Sequence, residues 1–136
     1  MKQAVDTSVA VAACLADHEA HELAESALAD STTTIAHVAT ETYSVLTRLP
    51  APLRVDAASA AAIIERRLPR QHATLDADQH AGAPTRLAAA QISGGATYDG
   101  LIALTALEHD LEIVSRDRRA ARTYRALGVP FKLLDT

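Results

Sequence analysis

The spacing of apolar residues along this chain switches repeatedly between two periods. Short apolar runs alternate with longer stretches in which apolar side chains recur every three or four positions. The first pattern is that of a buried strand and the second that of an amphipathic helix. Residues 2–5 read as a first strand that stops at Asp6. Asp6-Thr7-Ser8, any of which can cap a helix, opens an Ala/Val-rich helix to about residue 16. Asp17-His18-Glu19 breaks the pattern, and residues 18–29 resume it with Leu23, Ala27 and Leu28 on one face. Three threonines and an isoleucine in residues 31–35 predict a second strand.

The spacing of Val38, Tyr43, Val45, Leu46 and Leu49 predicts a helix over 37–49, stopped by Pro50 and Pro52. A further helix covers 56–68, with Ile63 and Ile64 on its buried side, and ends at Pro69. Residues 72–76 read as a short third strand, and 84–92 as a helix with proline in its first turn. Gly94-Gly95 then breaks the chain before a strongly apolar helix over 98–109. A strand over 111–114, a helix over 117–127 ended by Gly128, and a strand over 131–134 complete the pattern. Strands alternating with helices predict an α/β domain, a mostly parallel sheet with helical layers on both faces. The 136 residues are expected to form one domain.

Composition narrows this picture. Hydrophobic residues make up 49% and aromatics only 3%, so the core has to be built from Ala, Val, Leu and Ile. No stretch approaches the roughly 20 apolar residues that span a bilayer. The apolar run 9–15 behind Lys2 imitates a signal peptide, but Asp6, Thr7 and Ser8 interrupt it, so none is expected. The single Cys14 excludes an internal disulfide and fits a reducing cytoplasm; it reads as a small apolar residue. A net charge of −4 argues against a general nucleic-acid coat protein. It leaves room for an enzyme on nucleic acid, which needs acids in its site and only a local basic patch.

The acids carry the chemistry. Asp6 ends the first strand, Glu41 lies one turn into the helix after the second, Asp99 opens the apolar helix, and Asp117 follows the 111–114 strand in Val114-Ser115-Arg116-Asp117. Strand ends and helix starts of one parallel sheet share one edge, so these four can converge. Taken singly, Asp6 and Asp99 can be mere caps, Glu41 a solvated side chain and Asp117 part of a surface charge cluster. Taken together they form a site that cannot stay ionised without a cation. Mg²⁺ or Mn²⁺ suits oxygen ligands, and such a site suits hydrolysis of a phosphodiester.

Val5-Asp6-Thr7-Ser8-Val9, Thr40-Glu41-Thr42, Thr97-Tyr98-Asp99-Gly100-Leu101-Ile102-Ala103 and Ser115-Arg116-Asp117 together resemble the PIN-domain ribonucleases. Within them the chain is most similar to the VapC toxins of bacterial toxin–antitoxin pairs. The resemblance implies a PIN-like three-layer α/β/α sandwich around four to five short strands. It also implies a Mg²⁺- or Mn²⁺-dependent endoribonuclease, acting on transfer RNA or another structured RNA. A VapB-like antitoxin and a homodimer are expected with it. Asp6 and Asp99 would be direct metal ligands, with Glu41 and Asp117 completing the set directly or through water. Ser8 and Ser115 would hydrogen-bond these acids; Ser115 stands where the family often has Thr, which keeps the hydroxyl.

The remaining polar residues read differently. Arg116, Arg118, Arg119, Arg122 and Arg125 form a basic patch, with 118, 122 and 125 on one helical face, suited to phosphate contact. Arg66, Arg67 and Arg70 can extend it. His72, Asp76, Asp78 and His80 imitate a metal cluster but read as a polar loop. His18, His21, His37 and His109 read as surface histidines, so no general-base histidine is expected. Tyr98, beside Asp99, is assigned to the core rather than to base stacking. An aspartyl-phosphate phosphatase would want an acid where Ser8 stands; a receiver domain would want an acidic pair where Thr7 follows Asp6, and a late lysine outside the last strand. The remaining alternative is a catalytically silent PIN-like module that binds RNA or protein.

Overall fold

The computed structural model describes residues 1–135. Its strands are β1 (Gln3–Val5), β2 (Thr34–Ile35), β3 (His72–Ala73), β4 (Glu112–Ser115) and β5 (Phe131–Leu133). Its helices are α1 (Thr7–Cys14), α2 (His21–Ala29), α3 (Ala36–Thr47), α4 (Ala57–Arg67), α5 (Ala77–Ala81), α6 (Ala83–Ala89), α7 (Thr97–Glu108) and α8 (Arg118–Leu127), with a 3₁₀ turn at Gly94–Ala96. β1, β4 and β5 form one sheet in the order β1-β4-β5, and β2 pairs with β3. Every pairing is parallel. The Thr32 amide donates to the Gln3 carbonyl at 3.4 Å, so the β2-β3 pair lies against the free edge of β1. The helices flank these strands: α1 to α4 pack on one another, and so do α6, α7 and α8.

This is the predicted α/β architecture, with shorter elements than the apolar runs suggested. α1 ends at Cys14 and α2 begins at His21, because 15–20 form a turn in which His18 Nδ1 accepts from the Ala20 amide at 3.0 Å. β2 holds two residues rather than five. One expectation is overturned: the polar segment around 76–80 is a helix, not a loop. Asp76 caps α5 and Gln79 returns the hydrogen bond to the Asp76 amide. The capping box overrode the turn-like composition.

Scarcity of large side chains sets the packing. α1 buries Val9, Ala10, Ala12 and Ala13, so small residues let neighbouring helices approach closely. Gly100 serves the same end in α7: a Cβ there would stand 2.4 Å from the Leu87 side chain. Gly128 takes the left-handed φ of 72° and ends α8, as its position predicts. Cys14 is half-buried, and burial pushes its thiol up to about 11, in keeping with an inert packing role. Among the described residues no helix is long and apolar enough to cross a membrane.

Candidate active site

β1 and β4 are adjacent and in register, with Val5 opposite Val114, so the chain leaves both strands at the same edge. Asp6 follows directly from β1, its amide donating to the Val114 carbonyl at 2.9 Å. Its carboxylate is buried at 2% exposure and held on both oxygens. Oδ1 accepts from the Ser8 amide at 3.0 Å, the Ser8 hydroxyl at 2.5 Å and the Val9 amide at 3.4 Å. Oδ2 accepts from the Tyr124 hydroxyl at 2.8 Å. Asp6 is thus both the N-cap of α1 and a wall of the cleft; the two readings do not compete.

The other acids arrive from three further elements. Asp117 caps α8, its Oδ1 accepting from the Arg119 amide at 2.8 Å. Glu41 lies on α3 and accepts from the Thr7 hydroxyl at 2.5 Å. Asp99 lies in the first turn of α7. All four line one cleft, together with Thr7, Ser8, His18 and Tyr98. Hydroxyls tie its two sides: the Ser8 Oγ accepts from the Arg116 amide at 3.0 Å, lies 3.5 Å from Ser115 Oγ, and Ser115 Oγ accepts from the Asp117 amide at 3.0 Å.

Charge acts across the cleft that the four acids line. Burial pushes Asp99 up to about 6, and the charges of Asp6, Asp117 and Glu41 push in the same direction; Arg119 opposes them. Burial also raises Asp6, against the hydroxyls of Ser115, Ser8 and Tyr124 and the Val9 amide. The Tyr124 hydroxyl is held far above its ordinary range by burial and by the Asp6 charge, so it remains a donor.

The donor set is all hard oxygen, suited to a divalent cation such as Mg²⁺ or Mn²⁺ rather than to a thiolate-seeking metal. Among the described residues, no three carboxylate, imidazole or thiol groups are drawn together tightly enough to hold an ion as they stand. Glu41, Asp99 and Asp117 are only part-buried and so open to the cleft they line. The excess negative charge on Asp99 is what such a cation would relieve.

Other sequence-based assignments fare unevenly. Arg116 lines the cleft; Arg118, Arg122 and Arg125 do not. Arg125 lies instead over the Phe131 ring at 5.3 Å. Arg119 stands beside the acids, 4.0 Å from Asp117 Oδ1. Arg67 pairs with Glu25 at 2.7 Å, away from the cleft. His18 borders the cleft rather than facing solvent, and burial together with the Arg116 charge lowers it. His21 Nδ1 bonds the Ala12 carbonyl at 3.0 Å. Tyr98 is not a core residue: it is 53% exposed and stacks on His37. Thr7 and Tyr124 were missed as partners of the acids. Tyr124 carried a signal, since a buried tyrosine needs a partner for its hydroxyl.

Asp117 offers a test that separates structure from chemistry. Asp117→Ala and Asp117→Asn both remove a charge from the cleft, but only Asn can still cap α8. The alanine variant is expected to be about 1 kcal/mol less stable than the asparagine variant, read by urea denaturation.

A parallel α/β fold that gathers four carboxylates at the carboxyl edge of its strands defines a class of acidic-site domains. The PIN domain family matches residues 4–126. The chain is 42% identical over 131 residues to Ribonuclease VapC40 of Mycobacterium tuberculosis, covering 96% of this chain and 98% of that one. It is 41% identical over 127 residues to Ribonuclease VapC27 of the same organism, covering 93% and 92%. The chain therefore belongs to the PIN domain family, on its VapC branch.

Proposed function

We propose that this chain is an endoribonuclease toxin that hydrolyses phosphodiester bonds of structured RNA, transfer RNA included, with Mg²⁺ or Mn²⁺ held among Asp6, Glu41, Asp99 and Asp117. The observation that carries the reading is the convergence of four acids from four separate elements on one cleft, where the charges of Asp6, Asp117 and Glu41 add to burial in raising Asp99. Membership of a family whose VapC relatives are ribonucleases supports it. Asp6 and Asp99 are the direct ligands in this reading, and Glu41 and Asp117 bind directly or through water.

A divalent cation bound there supplies neutralising charge at the phosphoryl oxygens and makes water more acidic. The protein supplies the rest. Ser8 and Tyr124 fix both oxygens of Asp6 before any ligand arrives, and Thr7 holds one oxygen of Glu41. Arg116 and Arg119 flank the acids and draw the RNA backbone toward a cleft that would otherwise repel it. Ser115 steadies the loop that carries Asp117.

A VapB-like antitoxin silences the site by inserting an Arg or Lys side chain among the acids, where it competes with metal. The toxin acts in the cytoplasm as a homodimer. The decisive experiment incubates purified protein with structured RNA and Mg²⁺ or Mn²⁺. Internal cleavage is expected, stopped by EDTA and absent in Asp6→Asn. Undiminished cleavage in excess EDTA would overturn the metal mechanism.

A further inference from the structure

We propose that the Tyr98 ring is the stacking floor for an unpaired nucleobase of the RNA, next to the phosphate that the acids engage. The inference rests on the nuclease reading and adds a subsite to it. Tyr98 is one of only four aromatic residues in the chain. Tyr124 is buried against the part-buried Phe131 at 5.8 Å and Tyr43 is exposed but does not line the cleft, whereas Tyr98 is 53% exposed and lines the cleft beside Asp99.

The ring is not loose. His37 lies parallel to it, with centroids 5.4 Å apart and an interplanar angle of 2°. His37 is itself anchored on α3 one turn before Glu41, its Nε2 buried and 3.9 Å from Glu41 Oε2. The imidazole lies parallel and offset against one side of Tyr98, and the ring keeps 53% exposure. A backed, flat and exposed ring loses little conformational freedom when a base settles on it.

The approach is open as well. Gly94 and Gly95 precede Tyr98 in the 3₁₀ turn, and a Cβ built on either meets nothing within 4 Å. Gly95 lines the same cleft. Arg116 lines this cleft, and Arg119 lines the adjoining pocket with Gly95 and Asp99, so both are at hand for neighbouring phosphates. Aromatic stacking accepts any base and requires that base to be splayed from a helix, so the subsite selects loops and single strands over duplex.

The chain has no tryptophan, so Tyr98→Trp creates a single fluorescent indole at the proposed floor. In an Asp117→Asn background with Mg²⁺, which slows turnover, an RNA loop oligomer is expected to quench that indole. The same oligomer with abasic positions is expected to bind more weakly and leave the emission unchanged. In the otherwise wild-type protein, Tyr98→Ala is expected to raise KM about 5- to 100-fold with kcat little changed, and Tyr98→Phe to restore KM. Mn²⁺ affinity of Tyr98→Ala, measured by calorimetry, is expected to stay at the wild-type value. RNA bound without base-dependent quenching overturns the inference and leaves the nuclease reading standing. So does loss of Mn²⁺ affinity in Tyr98→Ala, which would make Tyr98 a support for Asp99. Quenching by an antitoxin peptide but not by RNA also overturns it. Binding of neither oligomer, with no cleavage by the wild type, removes both readings.

Discussion

Asp99→Asn is expected to cut RNA cleavage severely and at the same time to make the metal-free protein more stable. The two effects have one origin. Asp99 titrates at about 6 in the folded protein against an ordinary 3.8, so the folded state binds that proton more tightly than the unfolded chain. The charge on Asp99 therefore costs stability progressively as the pH rises from about 4 to about 6 and in full above that, and the stability returns as the pH falls back toward 4. Asparagine is neutral throughout. The advantage of the variant should grow as the pH rises from about 4 to about 6, stay full above that, and vanish below about 4.

A shift of this size corresponds to about 3 kcal/mol at full burial. Asp99 is only part-buried, and solvent screening brings the figure to about 1 kcal/mol, or a midpoint about 3–6 °C higher. Saturating Mg²⁺ stabilises only a protein that binds it, so the order of the two midpoints should reverse when metal is added. Loss of a direct ligand is expected to lower the cleavage rate on the order of 10³-fold. Thermal melts in EDTA and in Mg²⁺, at pH 5 and pH 8, check the whole pattern. An asparagine variant less stable than wild type in EDTA at pH 8 would mean that Asp99 lies outside the mutual repulsion.

Tyr124 carries the second large effect. Its ring is fully buried, beside Phe131, and its hydroxyl is the donor to Asp6 Oδ2. Tyr124→Ala empties that volume and is expected to cost about 3–5 kcal/mol, a large share of the roughly 5–15 kcal/mol that holds a domain together. Tyr124→Phe keeps the packing and removes only the hydrogen bond, which for a charged acceptor contributes about 1.5–3 kcal/mol. Asp6 then loses its orientation on one oxygen, and Mn²⁺ affinity is expected to fall about 10- to 100-fold. Calorimetry with Mn²⁺ beside urea denaturation separates the two variants. A phenylalanine variant that binds Mn²⁺ as tightly as wild type would show that Ser8 and the α1 amides hold Asp6 unaided.

Much of the fold can be read from the chain because its signals are local. The Asp6-Thr7-Ser8 cap, Pro69 behind α4 and Gly128 in the left-handed region each act within a few residues, and each stands where the pattern placed it. The segment at 76–80 departs from its loop-like composition because pairing outweighs it: the Asp76 and Gln79 side chains each accept from the other's backbone amide and nucleate a turn of helix. The arginines show the same limit of a local pattern. Helical spacing correctly puts 118, 122 and 125 on one face, but it cannot say which face meets the cleft.

Sequence alone determined the alternation of strand and helix, the Ala-rich core and the four acids at element ends, because periodicity, caps and parallel topology are written in short stretches. Tertiary structure decided everything that depends on residues far apart. It brought Tyr124 under Asp6 across 118 positions, Thr7 onto Glu41 across 34, and His37 beneath Tyr98. No local pattern encodes those meetings. They follow from how closely an alanine-lined helix such as α1 can approach its neighbours, and that distance is set by the packing of the whole chain.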